Sequence, residues 1–66
     1  MDILKISLAA ARVNAGLTQK QLGSMCGVSE STIINWENGR SLPSAGKWNL
    51  LEKALGISLN HIDFNR

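Results

Sequence analysis

Sixty-six residues leave room for one domain, near the lower size at which a single hydrophobic core holds a fold without disulfides or a metal. Hydrophobic residues make up 44% of the chain and charged ones 18%, which is enough apolar material for a core and too little charge for a disordered tail. The net charge of +2 fits an anionic partner without identifying one, and a single copy would neutralise so few phosphates that useful affinity for a nucleic acid calls for two copies on one duplex.

No segment shows the sustained alternation of a strand, and helix punctuation recurs five times. The expected fold is therefore all-α, a compact five-helix bundle forming one domain over residues 1–66. Ser7 is placed to cap a helix from Leu8 to about Ala15, with Ile6 set to staple against Ala11 and Gly16 as the terminating residue. Upstream, Ile3, Leu4 and Ile6 suit three alternatives: an extension of this helix, an arm, or a short strand paired with Ile62-Asp63-Phe64.

Thr18-Gln19-Lys20-Gln21 has the spacing of a capping box and opens a second helix that ends at Gly27. Ser29 caps a third, which runs through Trp36 and Glu37 and stops at Asn38-Gly39. A loop with Arg40, Ser41, Leu42 and Pro43 follows. A fourth helix starts at Pro43 or Ser44, keeps Ala45, Trp48, Leu51 and Leu55 on one stripe, and ends at Gly56. Ser58 is placed to cap a last turn holding Leu59 and Ile62.

The stretch from Gln19 to Trp36 has the internal logic of a helix-turn-helix, two short helices crossing steeply around a turn that contains glycine. Gly23 is small where the helices approach, and Gly27 sits where the chain needs positive φ. Leu22, Cys26, Val28, Ile33 and Trp36 supply the apolar faces, which leaves Ser29, Glu30, Ser31, Ile34 and Asn35 on the outward face of the third helix.

The runs Ala15-Gly16-Leu17-Thr18-Gln19-Lys20-Gln21-Leu22 and Gly27-Val28-Ser29, with Ile33, Trp36-Glu37-Asn38-Gly39 and Pro43, resemble the phage repressor and Cro family of helix-turn-helix regulators. The likeness spans roughly Leu8 to Ile62 and requires several spaced motifs to agree. It implies a helix-turn-helix domain of the lambda-repressor kind whose third helix reads bases in the major groove through Ser29, Glu30, Ser31, Ile34 and Asn35. It also implies phosphate contacts from Thr18, Gln19 and Lys20 at the start of the second helix, and from Asn38, Gly39 and Arg40 after the third. Arg12 and Glu37 match the family's arginine–glutamate pair, a structural tie between the first and third helices. Gly46 and Leu50 depart from the polar residues usual there, and Leu50 with Ala54 and Ile57 forms a candidate apolar surface for dimerisation.

Several of these residues also have plainer explanations. A carboxylate in the first turn is favoured by the helix dipole, which accounts for Glu30 without a base, and Ile34 is explained as an exposed aliphatic. Trp36 and Trp48 fall on apolar stripes, so both are assigned to the core rather than to base stacking. Cys26 is read as a buried, inert thiol, His61 as a surface or capping residue, and Lys47 and Lys53 as either phosphate contacts or solvated charges.

The expected function is sequence-specific transcriptional regulation, a repressor binding double-stranded DNA at a near-palindromic operator as a homodimer. The alternative is a protein-interaction module, an antitoxin-like adaptor, kept open by Leu50 and Ile57. An enzyme is set aside for want of a nucleophile with a positioned base, a carboxylate pair or a phosphate-binding loop. No cofactor, metal, small-molecule ligand or membrane partner is expected: Cys26 and His61 stand without a carboxylate cluster, and no apolar run is long. The N-terminus lacks the pattern of a secretory signal, so the expected location is the cytoplasm, at the nucleoid. The stop after Phe64-Asn65-Arg66 suits both a complete Cro-like protein and an N-terminal domain of a larger repressor.

Overall fold

Hydroxyl side chains start most of the regular elements of the computed structural model, which describes residues 5–64. After a short strand β1 (Ile6–Ser7), Ser7 Oγ accepts from the Ala10 N–H at 3.0 Å and opens α1 (Leu8–Asn14). Thr18 and Gln21 form the expected reciprocal capping box at the head of α2 (Gln19–Cys26), with bonds of 3.0 and 2.9 Å. Ser29 Oγ accepts from the Thr32 N–H and opens α3 (Glu30–Glu37). Ser44 precedes α4 (Ala45–Leu55) but makes no side-chain capping bond.

The first three helices end alike. Gly16, Gly27 and Gly39 each take a φ of 71 to 75°. The residue after each then donates its N–H back across the last turn: Leu17 to Arg12 O, Val28 to Gly23 O and Arg40 to Asn35 O. This closure satisfies carbonyls that a helix end otherwise leaves open and turns the chain sharply, which is how four short helices fold around one core.

That core is Leu8, Ala11, Leu22, Cys26, Ile33, Trp36, Leu51, Leu55 and Ile62, with Leu17, Val28, Ala54 and Ile57 among the partly buried residues against it. Every α-helix contributes to it, and no buried side-chain nitrogen or oxygen among the described residues lacks a hydrogen-bond partner. Ile62 reaches it from strand β2 (Ile62–Asp63), which pairs in parallel with β1, Ile6 opposite Ile62 and Ser7 opposite Asp63. Parallel neighbours need a long crossover, and here the four helices are that crossover.

Two expectations are corrected. Four α-helices stand where five were expected, because the last turn (Leu59–His61) is a three-residue 3-10 helix. Ile62 ends it by switching to extended backbone to pair with Ile6. The fold is accordingly helical but for this one strand pair. It selects the strand among the alternatives for Ile6; Ile3 and Leu4 lie outside the described residues.

Trp48 is the second correction: it is 51% exposed, and its indole N–H donates to Pro43 O at 3.1 Å. The buried stripe of α4 is Leu51 and Leu55, and Trp48 lies on its flank, bonded to the loop before the helix. With Leu42, Pro43, Glu52, Leu59 and Phe64 it lines a cavity of about 310 Å³.

Candidate nucleic-acid interface

Helices α2 and α3 are held at their crossing by the turn between them. A Cβ added to Gly23 would sit 2.8 Å from Val28 O and 3.2 Å from Ser29 carbonyl atoms, so only glycine lets the turn's backbone lie directly on α2. Ile33 and Trp36, 0% and 4% exposed, anchor the inner face of α3. The helical period then turns Glu30 and Ser31 fully outward and leaves Ile34 and Asn35 half-buried at the edges of the same face.

The expected base-reading residues are thus brought onto one surface, with a distinction among them. Ser29 is exposed, but its hydroxyl is engaged: it caps the Thr32 N–H and lies 3.0 Å from Thr32 Oγ1. Thr32 is not among the expected contact residues, although its place three positions after the cap is a signal for this pairing. The Asn35 main-chain carbonyl is occupied by the Arg40 N–H at 2.9 Å, whereas no bond to the Asn35 amide is found among the described residues.

Two polar segments lie beside this face. At the head of α2, Thr18 and Lys20 are exposed and Gln19 half-buried, beside first-turn N–H groups with no partner inside the helix. Beyond α3, Asn38, Gly39 and Arg40 are all exposed. Both sets of expected phosphate residues therefore stand next to the outward face of α3. Lys47, left open above, lies near the turn, its Nζ 3.6 Å from a Cβ built on Gly27.

The two segments are joined by a side-chain network. Arg12 Nε donates to Glu37 Oε2 at 2.6 Å and Arg12 Nη1 to Leu17 O at 2.8 Å. Gln19 Nε2 donates to Glu37 Oε1 at 3.0 Å. The Glu37 side chain is 6% exposed and that of Arg12 15%, so this is a largely buried, hydrogen-bonded ion pair. The Gln19 bond was not legible in the sequence.

Of the surface expected around Leu50, only Leu50 itself is exposed, at 39%; Ala54 and Ile57 pack against the core. Cys26 is buried, and burial pushes its thiol above the usual range while the Lys47 ammonium pulls the other way, as befits an unreactive core sulfur. Among the described residues no cluster of three His, Cys, Asp or Glu side chains is placed to hold a metal, and no helix is long and apolar enough to cross a membrane.

Two capped helices around a glycine turn, with a polar outward face on the second, define a helix-turn-helix DNA-binding domain. A family model described as helix-turn-helix matches residues 8–62, and the chain belongs to that family, the helix-turn-helix regulators of the phage repressor and Cro type. No curated protein and no solved structure matches the chain.

Proposed function

We propose that this chain is a transcriptional repressor of the Cro kind, acting in the cytoplasm at the nucleoid as a homodimer on a near-palindromic operator. Helix α3 enters the major groove, where Asn35 pairs with adenine N6 and N7, Ser31 bonds a base edge, and Glu30 accepts from cytosine N4. Ile34 touches a thymine methyl. Thr18, Gln19 and Lys20 hold one stretch of backbone, and Asn38, Gly39 and Arg40 the next, fixing register without reading sequence. Repression follows from occupying DNA that polymerase needs.

The observation that carries this reading is the order of the surface: an outward polar face on α3, with the donor groups at the head of α2 and the Asn38–Arg40 turn beside it, next to each other through the Gln19–Glu37 bond. Pairing of two copies is supported by the low net charge and by large apolar side chains standing out of the fold, Leu50 among them. Selection of bound duplexes from a random pool tests binding and symmetry together. The expected consensus is two inverted half-sites about 34 Å apart. An unenriched pool would remove the reading.

A protein-docking adaptor is the second reading, favoured by Leu42 and Trp48, which are 67% and 51% exposed. Such an adaptor would bind duplexes weakly and without preference among sequences.

A further inference from the structure

The two proposed phosphate-binding ends are joined inside the protein by one carboxylate. Glu37 is the last residue of α3 and directly precedes Asn38, Gly39 and Arg40. Its Oε1 accepts from Gln19 at the head of α2, and its Oε2 from Arg12 of α1. We infer that Glu37 is a positioning residue of the DNA clamp: through Gln19 it sets the donor at the head of α2 at a fixed distance from the Asn38–Arg40 turn, and Arg12 makes this possible. The inference rests on the proposed phosphate contact of Gln19.

The chemistry runs in three steps. A carboxylate only accepts hydrogen bonds, so the nitrogen of the Gln19 amide must face Glu37 and its oxygen must face away. One N–H is used in that bond, and among the described residues no acceptor takes the other, which stays on the same pinned nitrogen for a phosphate oxygen. A free glutamine would lose its rotamer freedom on meeting DNA; here much of that loss occurs on folding instead.

Arg12 supplies what a carboxylate near a phosphate needs. Alone, the Glu37 charge would repel the backbone that Gln19 is to bind. The guanidinium at 2.6 Å neutralises it, and its second bond, to Leu17 O, anchors the pair to the turn before α2. The pair is thus asked both to stabilise the fold and to keep a donor aimed.

A double-mutant cycle on DNA affinity separates these two roles. Wild type, Glu37→Gln, Gln19→Ala and the double variant are titrated with a duplex from the selected pool, below the melting midpoint of the least stable protein. Glu37→Gln keeps the shape but replaces the second acceptor oxygen with an amide nitrogen, so Gln19 and Arg12 compete for one acceptor. It should weaken binding about fivefold to twentyfold in the Gln19 background and less than about twofold in the Gln19→Ala background. Equal weakening in both backgrounds would mean that Glu37 acts only on stability, and would overturn the inference while leaving the DNA-binding reading intact.

If Gln19→Ala alone leaves affinity unchanged, the phosphate role of Gln19 falls and the inference falls with it. Should Glu37→Gln not fold, Arg12→Lys takes its place in the same cycle, since it keeps the charge but removes the planar fork that holds the carboxylate and Leu17 O together. A second readout needs no variant. Side-chain amide relaxation of Gln19 in the free protein should give an order parameter above about 0.6, and a value well below that would show an unpinned donor and reject the mechanism.

Discussion

Replacing Glu37 by alanine should be among the most damaging single changes in the chain, although the residue lies outside the apolar core. The substitution removes the acceptor for Arg12 Nε and for Gln19 Nε2 at once. With side chains 6% and 15% exposed, water reaches neither partner freely. Removing one member of a buried pair costs about 3 to 5 kcal/mol. The bond from Arg12 to Leu17 O survives and the guanidinium is slightly exposed, so the lower part of that range, about 3 kcal/mol, is the better figure. For a chain of this size 1 kcal/mol moves the melting midpoint by about 4 to 8 °C, which puts the expected fall at roughly 12 to 24 °C. Thermal unfolding followed by far-ultraviolet circular dichroism and by the emission of buried Trp36 measures it. Arg12→Met/Glu37→Leu should recover much of the loss, because an apolar pair leaves no uncompensated charge. A fall of one or two degrees for Glu37→Ala would refute the reasoning, for it would equate this pair with an exposed surface bridge.

Other changes probe other parts of the structure. Gly23→Ala places a methyl 2.8 Å from the Val28 carbonyl oxygen, and the backbone shift should cost about 1 to 3 kcal/mol despite the better helix propensity of alanine; an unchanged or raised melting midpoint would contradict the tight approach. Asn35→Ala should leave stability within about 0.5 kcal/mol and cost about 1 to 3 kcal/mol of discrimination at a single base position, measured by competition among duplexes differing at one base pair. Uniform weakening across that panel would assign Asn35 to the phosphates instead. Cys26 provides a pH test: burial raises its thiol above the ordinary thiol value, so the folded form holds its proton longer than the unfolded one does. Its stabilising contribution is complete below about pH 9 and is lost as pH rises through the folded value, at no more than about 1.4 kcal/mol per pH unit. Wild type should therefore lose stability faster than Cys26→Val as pH rises above about 9, and parallel curves would show that burial does not perturb the thiol.

Local chemistry was the most legible part of the sequence. Ser7, Thr18 and Ser29 cap their helices, and Gly16, Gly27 and Gly39 end theirs, because both signals act within one turn of the residue that carries them. The outward face of α3 followed from the same short-range geometry. What was not legible depends on residues far apart in the chain. Ile6 left three conformations open until Ile62 arrived beside it. Trp48 shares the period of the α4 stripe, yet a flanking position and the Pro43 carbonyl hold its ring at the surface. Ala54 and Ile57 were expected beside Leu50 outside, but Ala54 on α4 and Ile57 just after it both pack against the core. Gln19 carried a phosphate signal from its place at a helix start, while its bond to Glu37 arises only once α2 and α3 have packed.

The central claim is that two copies of this helix-turn-helix grip one duplex and read its sequence. The most direct measurement is the affinity for the selected duplex and for a scrambled one across a range of salt concentrations. Lys20 and Arg40 are the exposed cations on the two clamp segments, so two copies bring about four cationic phosphate contacts. The expected slope of log affinity against log salt is about −3 to −4 for the selected duplex, which should also bind at least about a thousandfold more tightly than the scrambled one at moderate salt. A flat salt response, or equal affinity for the two duplexes, would contradict the account.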